Sequence, residues 1–225
     1  STKSESGKLR TFDDYLKDMK EGQNEIYYIT GTTLDETLKS PYLEAFREKG
    51  YEVLVFLDDI DDMIFSVFEY KGKALKSVAK GDINLDKTSK EEKETTKQKY
   101  ENLLHLIKDT LKDDVKDVRL SGRLTDSLCC LVGDEGDIDP HMEKLLKSMG
   151  QEVPQRKKIL EINPEHRLLS LMNTIFEKNR LDDTLKDYIR LLYDQALILE
   201  GSRPKDPAAF TKTLAKLMAE NAEKQ

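Results

Sequence analysis

"EIYYITGTTLDETLKSPYLEAFREKGYEVLVFL", residues 25–57, decides how the first third of the chain folds. Its two ends, EIYYIT (Glu25 to Thr30) and YEVLVFL (Tyr51 to Leu57), are rich in β-branched and aromatic residues, the composition of strands. Between them Thr33 stands three residues before Glu36. At that spacing a hydroxyl and a carboxylate satisfy the orphan amides of a first helical turn. Ser40-Pro41 gives the other start signal, a cap followed by proline at the first helical position, and Gly50 closes the helical stretch. Strand, helix and strand in this order form a βαβ unit. A short helix after Asp59 and a strand through ALKSVAK (Ala74 to Lys80) complete a small layered α/β domain.

Outward from this unit the chain reads as mostly helical. Thr11 with Asp14 and Ser89 with Glu92 repeat the capping spacing, and Asp139-Pro140, Asn163-Pro164 and Asp206-Pro207 repeat the cap-proline signal. The acidic, lysine-rich DINLDKTSKEEKETTKQ is a linker running into a long helix, on which Tyr100, Leu103, Leu104, Ile107 and Leu111 share one face. VKDVRL (Val115 to Leu120) and SLCCLV (Ser127 to Val132) read as paired strands, with KKILEI (Lys157 to Ile162) a third.

Three helices follow. The one from Asp182 to Glu200 carries Leu185, Ile189, Leu192, Ala196 and Leu199 on a stripe that Tyr188, Leu191 and Tyr193 widen. The last, from Pro207, repeats the pattern with Phe210, Leu214, Leu217 and Met218. A hairpin apolar on two faces has two solutions. It packs on its own domain with one face and on a symmetry mate with the other, as a two-fold four-helix bundle, or it makes an ordinary monomeric core.

With 37 Lys and Arg against 44 Asp and Glu, the 225 residues carry a net charge of −7. That sign argues against nucleic acid or an anionic membrane as the main partner, because phosphates are repelled. No apolar run approaches membrane-spanning length. Two cysteines and no secretory apolar segment fit a reducing cytoplasm. The polar STKSESGK at the start, with Ser1 in place of methionine, reads as the edge of a piece of a longer protein.

Few residues nominate chemistry. Cys129 and Cys130 are neighbours on a strand, so their side chains point to opposite faces and cannot converge on one metal ion. They read as small hydrophobes. DDIDD (Asp58 to Asp62) lies at a strand end and a helix start, where carboxylates cap; a divalent cation is the other reading. TGTTLDE (Thr30 to Glu36) sits where a phosphate could bind but lacks the glycine pattern for pyrophosphate. His105 and His166 have no nucleophile in recognisable partnership, and no Walker A, H-E-x-x-H or G-x-S-x-G motif occurs. The helix after Pro140 is different: Met142, Leu145, Leu146 and Met149 recur at helical spacing, ended by Gly150. Packed, this stripe is core; exposed, it is an adaptable surface for varied partners.

KEGQNEIYYITG (Lys20 to Gly31), SPYLEAFREKGYEVL (Ser40 to Leu54), VKDVRLSGRLTDS (Val115 to Ser127), ILEINPEH (Ile159 to His166) and LLYDQALILEG (Leu191 to Gly201) together resemble the heat-shock protein 90 chaperone family, nearest its bacterial HtpG-like branch. The resemblance runs in order over nearly the whole chain. It implies an α+β fold: at 1–87 the last α/β/α subdomain of the family's middle domain, and at 88–225 a helical domain with a small three-stranded sheet and a C-terminal helical hairpin for dimerisation. It also implies a fragment without enzymatic activity of its own, since the family's ATP site, with its magnesium, belongs to an N-terminal domain absent here; no cofactor is expected in this part. The alternative reading is a stand-alone nucleotide-binding α/β enzyme with a helical accessory domain.

By the same resemblance the two C-terminal helices form the homodimer bundle through Leu185, Ile189, Leu192, Ala196, Leu199, Phe210, Leu214, Leu217 and Met218. The helix from Asp139 offers Met142, Leu145, Leu146 and Met149 to unfolded or partly folded client proteins. The chain ends AENAEKQ without the acidic Met-Glu-Glu-Val-Asp tail, so docking of tetratricopeptide co-chaperones there is not expected. Leu128 stands where relatives usually have proline, and the Cys129-Cys130 pair is similar to eukaryotic members; a bacterial cytoplasm is the expected location.

Overall fold

The computed structural model describes residues 1–4, 8–58, 60–65, 67–85, 90–137, 146, 149–151 and 156–223. It separates into two units. The first comprises Ser1–Asp86, Gly122–Leu124 and Val132–Arg156; the second comprises Lys87–Ser121, Thr125–Leu131 and Lys157–Gln225. Where the sequence suggests one cut after residue 87, the chain returns twice to its first unit.

In the first unit, β1 (Ile26–Thr30) lies between β2 (Leu54–Phe56) and β4 (Lys73–Ser77), parallel to both, with Tyr28 opposite Leu54 and Ser77. The short β3 (Glu69–Tyr70) adds antiparallel to β4, giving the order β2-β1-β4-β3. Lys71 and Gly72, both at positive φ, make the two-residue hairpin turn whose twist suits the flanking strands. Every residue from Ile26 to Ile29 is buried, as expected of a parallel strand covered on both faces.

The alternation of β1 divides the core in two. Tyr27 and Ile29 face Leu43, Phe46, Val53, Val78 and Ile83. Leu43 comes from a 3-10 turn (Pro41–Leu43) and Phe46 from α3 (Glu44–Glu48). Ile26 and Tyr28 face Tyr15 of α1 (Phe12–Lys17) and Leu54 and Leu75, with Phe65 of α4 (Asp61–Phe65) alongside. Tyr15 is buried because its hydroxyl is fully used: it accepts from the Tyr27 amide (2.9 Å) and Gln23 Nε2 (2.8 Å) and donates to the Glu52 carbonyl (2.9 Å). The Thr11 capping box forms, and Thr33 caps α2 (Leu34–Leu38) by accepting from the Glu36 amide. Ser89, Asp139 and Pro140 lie outside the described residues.

The second unit is built on α5 (Lys90–Thr110), which buries Tyr100, Leu103 and Ile107, followed by the buried Leu111. Its sheet has the order β5-β7-β6, with β5 Asp117–Leu120, β6 Cys129–Val132 and β7 Ile159–Ile162. The expected pairing of the first two strands is corrected here: β7 lies between them, parallel to β5. The reason is burial. All four β7 residues are buried, whereas β5 carries Asp117 and Arg119 half-exposed and suits an edge.

A second correction concerns Asn163-Pro164, which does not start the next helix. Asn163 spends its side chain on a turn, accepting from the Glu165 amide (2.9 Å) and donating to the Ser127 carbonyl (3.1 Å). His166 caps α6 (Arg167–Lys178) instead, its Nδ1 accepting from the Leu168 amide at 3.1 Å. Helix α7 (Asp183–Leu199) is capped by Asp182 and α8 (Pro207–Ala222) by Asp206 with Pro207 at its start. Among the described residues no helix is long and apolar enough to cross a membrane.

Candidate functional site

The terminal hairpin, α7 and α8, holds most of the residues that the sequence nominates. Leu185, Ile189, Leu192 and Ala196 of α7 are all buried and join α5, α6 and β7 in the core of their own unit. They are therefore spent within the chain. Leu199 at the end of α7 is exposed, beside exposed Ile198.

Helix α8 behaves differently: none of its 16 residues is buried. Phe210, Thr213, Leu217 and Glu220 are half-buried, one line at helical spacing, while Leu214 (42%) and Met218 (65%) stand exposed one turn apart. The helix is tied to α7 by Lys216 Nζ, which donates to Asp187 Oδ2 at 2.7 Å. At the turn, Glu200 pairs with Lys158, and the Ser202 amide bonds the Leu197 carbonyl at 2.8 Å around Gly201, whose φ is +80°.

The methionine-bounded stripe is only partly within the described residues; Met142 and Leu145 lie outside them. Leu146 is half-buried and Met149 is 65% exposed. The Gln151 amide bonds the Leu146 carbonyl at 3.0 Å across Gly150, at φ +78°, so the turn closes where the glycine allows it.

The Hsp90 protein family model matches residues 1–225, the whole chain. The chain belongs to the Hsp90 protein family. It is 45% identical over 225 residues to the chaperone protein HtpG of Geobacter sulfurreducens, covering 97% of this chain and 34% of that protein. The HtpG of Frankia casuarinae is 45% identical over 216 residues (93% and 33%), and that of Mycobacterium avium 43% over 223 (97% and 34%). The chain thus spans about a third of the length of the curated relatives it matches.

In this Hsp90-family chain the other candidates for chemistry have structural occupations. Cys129 and Cys130 are buried, neither in a disulfide, and burial pushes the Cys129 thiol up to about 12. A thiol so far above neutrality is a poor nucleophile and metal ligand. At the start of α4 the Asp58 amide donates to Asp61 Oδ2 at 3.0 Å and the Asp61 amide to the Asp58 carbonyl at 3.0 Å, while Asp59 lies outside the described residues. Among the described residues no three His, Cys, Asp or Glu side chains are placed to hold a metal ion.

The loop after β1 places acidic side chains where a phosphate would need positive charge. Asp35 and Glu36 occupy the first turn of α2, and a Cβ at Gly31 would fall 1.9 Å from Thr37 Oγ1, so the backbone there is already closely packed. Several buried charges escaped the sequence reading, two of them fully buried. Arg123 is fully buried in the first unit, donating to the Val78 and Gly81 carbonyls, and Glu161 is fully buried on β7. Charge at a position that reads as solvated surface gave no signal of either.

Proposed function

We propose that this chain is the C-terminal part of an ATP-dependent molecular chaperone, with two tasks of its own: pairing two copies and holding unfolded client protein. One observation carries the first task. Helix α8 has an apolar stripe, Phe210, Leu214, Leu217 and Met218, yet buries none of it fully. A helix of this length is marginal alone in water and takes its stability from covering such a face. A second copy supplies the cover, closing a two-fold four-helix bundle. In this reading Leu199, Phe210, Leu214, Leu217 and Met218 meet the partner, and Leu185, Ile189, Leu192 and Ala196 support them from within.

Family membership supports the rest of the reading. A permanent C-terminal pairing keeps two arms at high effective concentration, so ATP-driven closure elsewhere in the longer protein becomes intramolecular. The ATP and magnesium site is assigned to the portion of the relatives' length that this chain does not span. Exposed Met149 and half-buried Leu146, with Met142 and Leu145, form the client contact, because flexible thioethers adapt to varied apolar surfaces. The bacterial cytoplasm is the compartment, in keeping with the bacterial HtpG relatives and a chain of only two cysteines.

Sedimentation equilibrium tests the pairing. The parent chain is expected to be dimeric and Leu214→Glu monomeric with an unchanged circular dichroism spectrum; a monomeric parent refutes it. Met142→Glu with Met149→Glu is expected to weaken binding of an unfolded client and leave the dimer intact. Unchanged client affinity returns that helix to a packing role.

A further inference from the structure

Asp114, in the turn between α5 and β5, is the meeting point of three elements of the second unit. Its side chain is only 8% exposed. Oδ2 accepts from Arg190 of α7 at 2.7 Å, and Oδ1 accepts from Lys205, two residues before Pro207 opens α8. Lys205 also lies 5.9 Å from the Tyr193 ring centroid. These two cations approach from 76 and 91 residues away in sequence. No apolar residue of α8 is buried to do the same work, so charge holds the base of the helix where a core contact ordinarily would.

We propose that Asp114 is an ionic clasp that fixes the terminal hairpin in the posture in which α8 pairs with a second copy. The inference rests on the pairing reading and adds its regulation: self-association depends on one shielded carboxylate as well as on apolar area. The charges around the clasp are Arg190 and Lys205 against Asp114, Asp194 and Asp206, with Glu200 near Tyr193. The clasp is therefore acid-rich, and loss of either cation leaves one cation against Asp114, Asp194 and Asp206.

A salt signature separates this from apolar packing alone. Ion pairs reached by half-exposed Lys205 and Arg190 are screened as ionic strength rises, whereas apolar association is not weakened by it. The test is sedimentation equilibrium of the chain at low and high sodium chloride, with Asp114→Asn and Lys205→Gln. Lys205→Gln alters an exposed side chain and leaves Arg190 on Asp114, so it weakens the clasp with less risk to folding should Asp114→Asn fail to fold. Hydrogen exchange over residues 207–222 is followed in the same proteins.

The expected result is a parent dimer that weakens with salt. Both variants should be weaker by about tenfold or more, with faster exchange in α8; Asp114→Asn should be nearly salt-independent, and Lys205→Gln, which keeps the Arg190 pair, less salt-dependent than the parent. A parent dimer with variants of equal affinity overturns the clasp and leaves the pairing standing. A parent that stays monomeric overturns the pairing, and the clasp is then judged by exchange alone: rates in 207–222 unchanged by Lys205→Gln overturn it.

Discussion

The Cys129 thiol donates to the main-chain carbonyl of Leu192 at 3.2 Å, tying β6 to the middle of α7 inside the second core. A residue that reads in the sequence as a small hydrophobe is a packing contact in the fold. Cys129 is fully buried in the cluster that also holds Leu131, Leu160 and Ile189, out of reach of reagent in the folded chain.

Alkylation of Cys129 by iodoacetamide is accordingly expected to follow global unfolding, with protection lost only near the urea midpoint. Cys129→Ala should cost about 1–2 kcal/mol, the removed sulfur plus one bond. Rapid labelling of the native chain at Cys129, read by peptide mass spectrometry, contradicts this placement.

Glu161 is the costliest group in the sheet to leave unpartnered. It accepts from Arg119 Nη2 at 2.8 Å and Nε at 3.1 Å, and from Ser121 Oγ at 2.8 Å. Glu161→Ala removes an acceptor from Arg119 of β5 and from Ser121 just after it, and is expected to destabilise the second unit by about 3–5 kcal/mol in urea titration. A loss under 1 kcal/mol, the value typical of an exposed pair, argues that the carboxylate is not shielded.

Acid should act on the hairpin with two signs. Asp194 is 4% exposed, and burial pushes its carboxyl above the ordinary value; Arg190 opposes, while Asp114 and Asp206 add repulsion. Folding is therefore disfavoured by its charge at neutral pH, and stability rises as pH falls through the raised native value toward about 3.9, where the unfolded group titrates. For Asp114 burial also pushes upward, but hydrogen bonds from Lys205 and Arg190 outweigh it and hold the carboxyl low. Its contribution is present above about 3.9 and is lost as pH falls through the depressed native value.

Asp194→Asn is expected to raise the melting temperature at pH 7 and to abolish the acid-side rise expected of the parent. A variant less stable than the parent at pH 7 contradicts the sign assigned to this group.

The parts of the fold legible in the sequence were those governed by local chemistry. Thr11, Thr33, Asp182 and Asp206 sit at helix starts because capping is a contact within one turn. The EIYYIT strand and its parallel neighbours follow from composition and helical crossovers. Strand order is a long-range matter, so the place of β7 between β5 and β6 emerged only from the structure.

The stripe of α7 shows the same boundary. Periodicity identifies Leu185, Ile189, Leu192 and Ala196 as apolar-facing, but not whether the facing surface is their own unit or another chain. Arg123 marks the far end of the scale: its guanidinium is inside because Gly122 lets the backbone come close, a Cβ there falling 2.2 Å from the Ile83 carbonyl. No spacing rule anticipates that.

The central claim, that α8 meets its counterpart in a second copy, is tested most directly by a distance between chains. A nitroxide attached at Met218→Cys reports selectively, because Cys129 and Cys130 are buried. Double electron–electron resonance is expected to give a narrow interchain distance distribution that vanishes when Leu214→Glu is added. Dipolar decay indistinguishable from that of isolated spins, at concentrations where the parent chain is fully folded, would contradict the account.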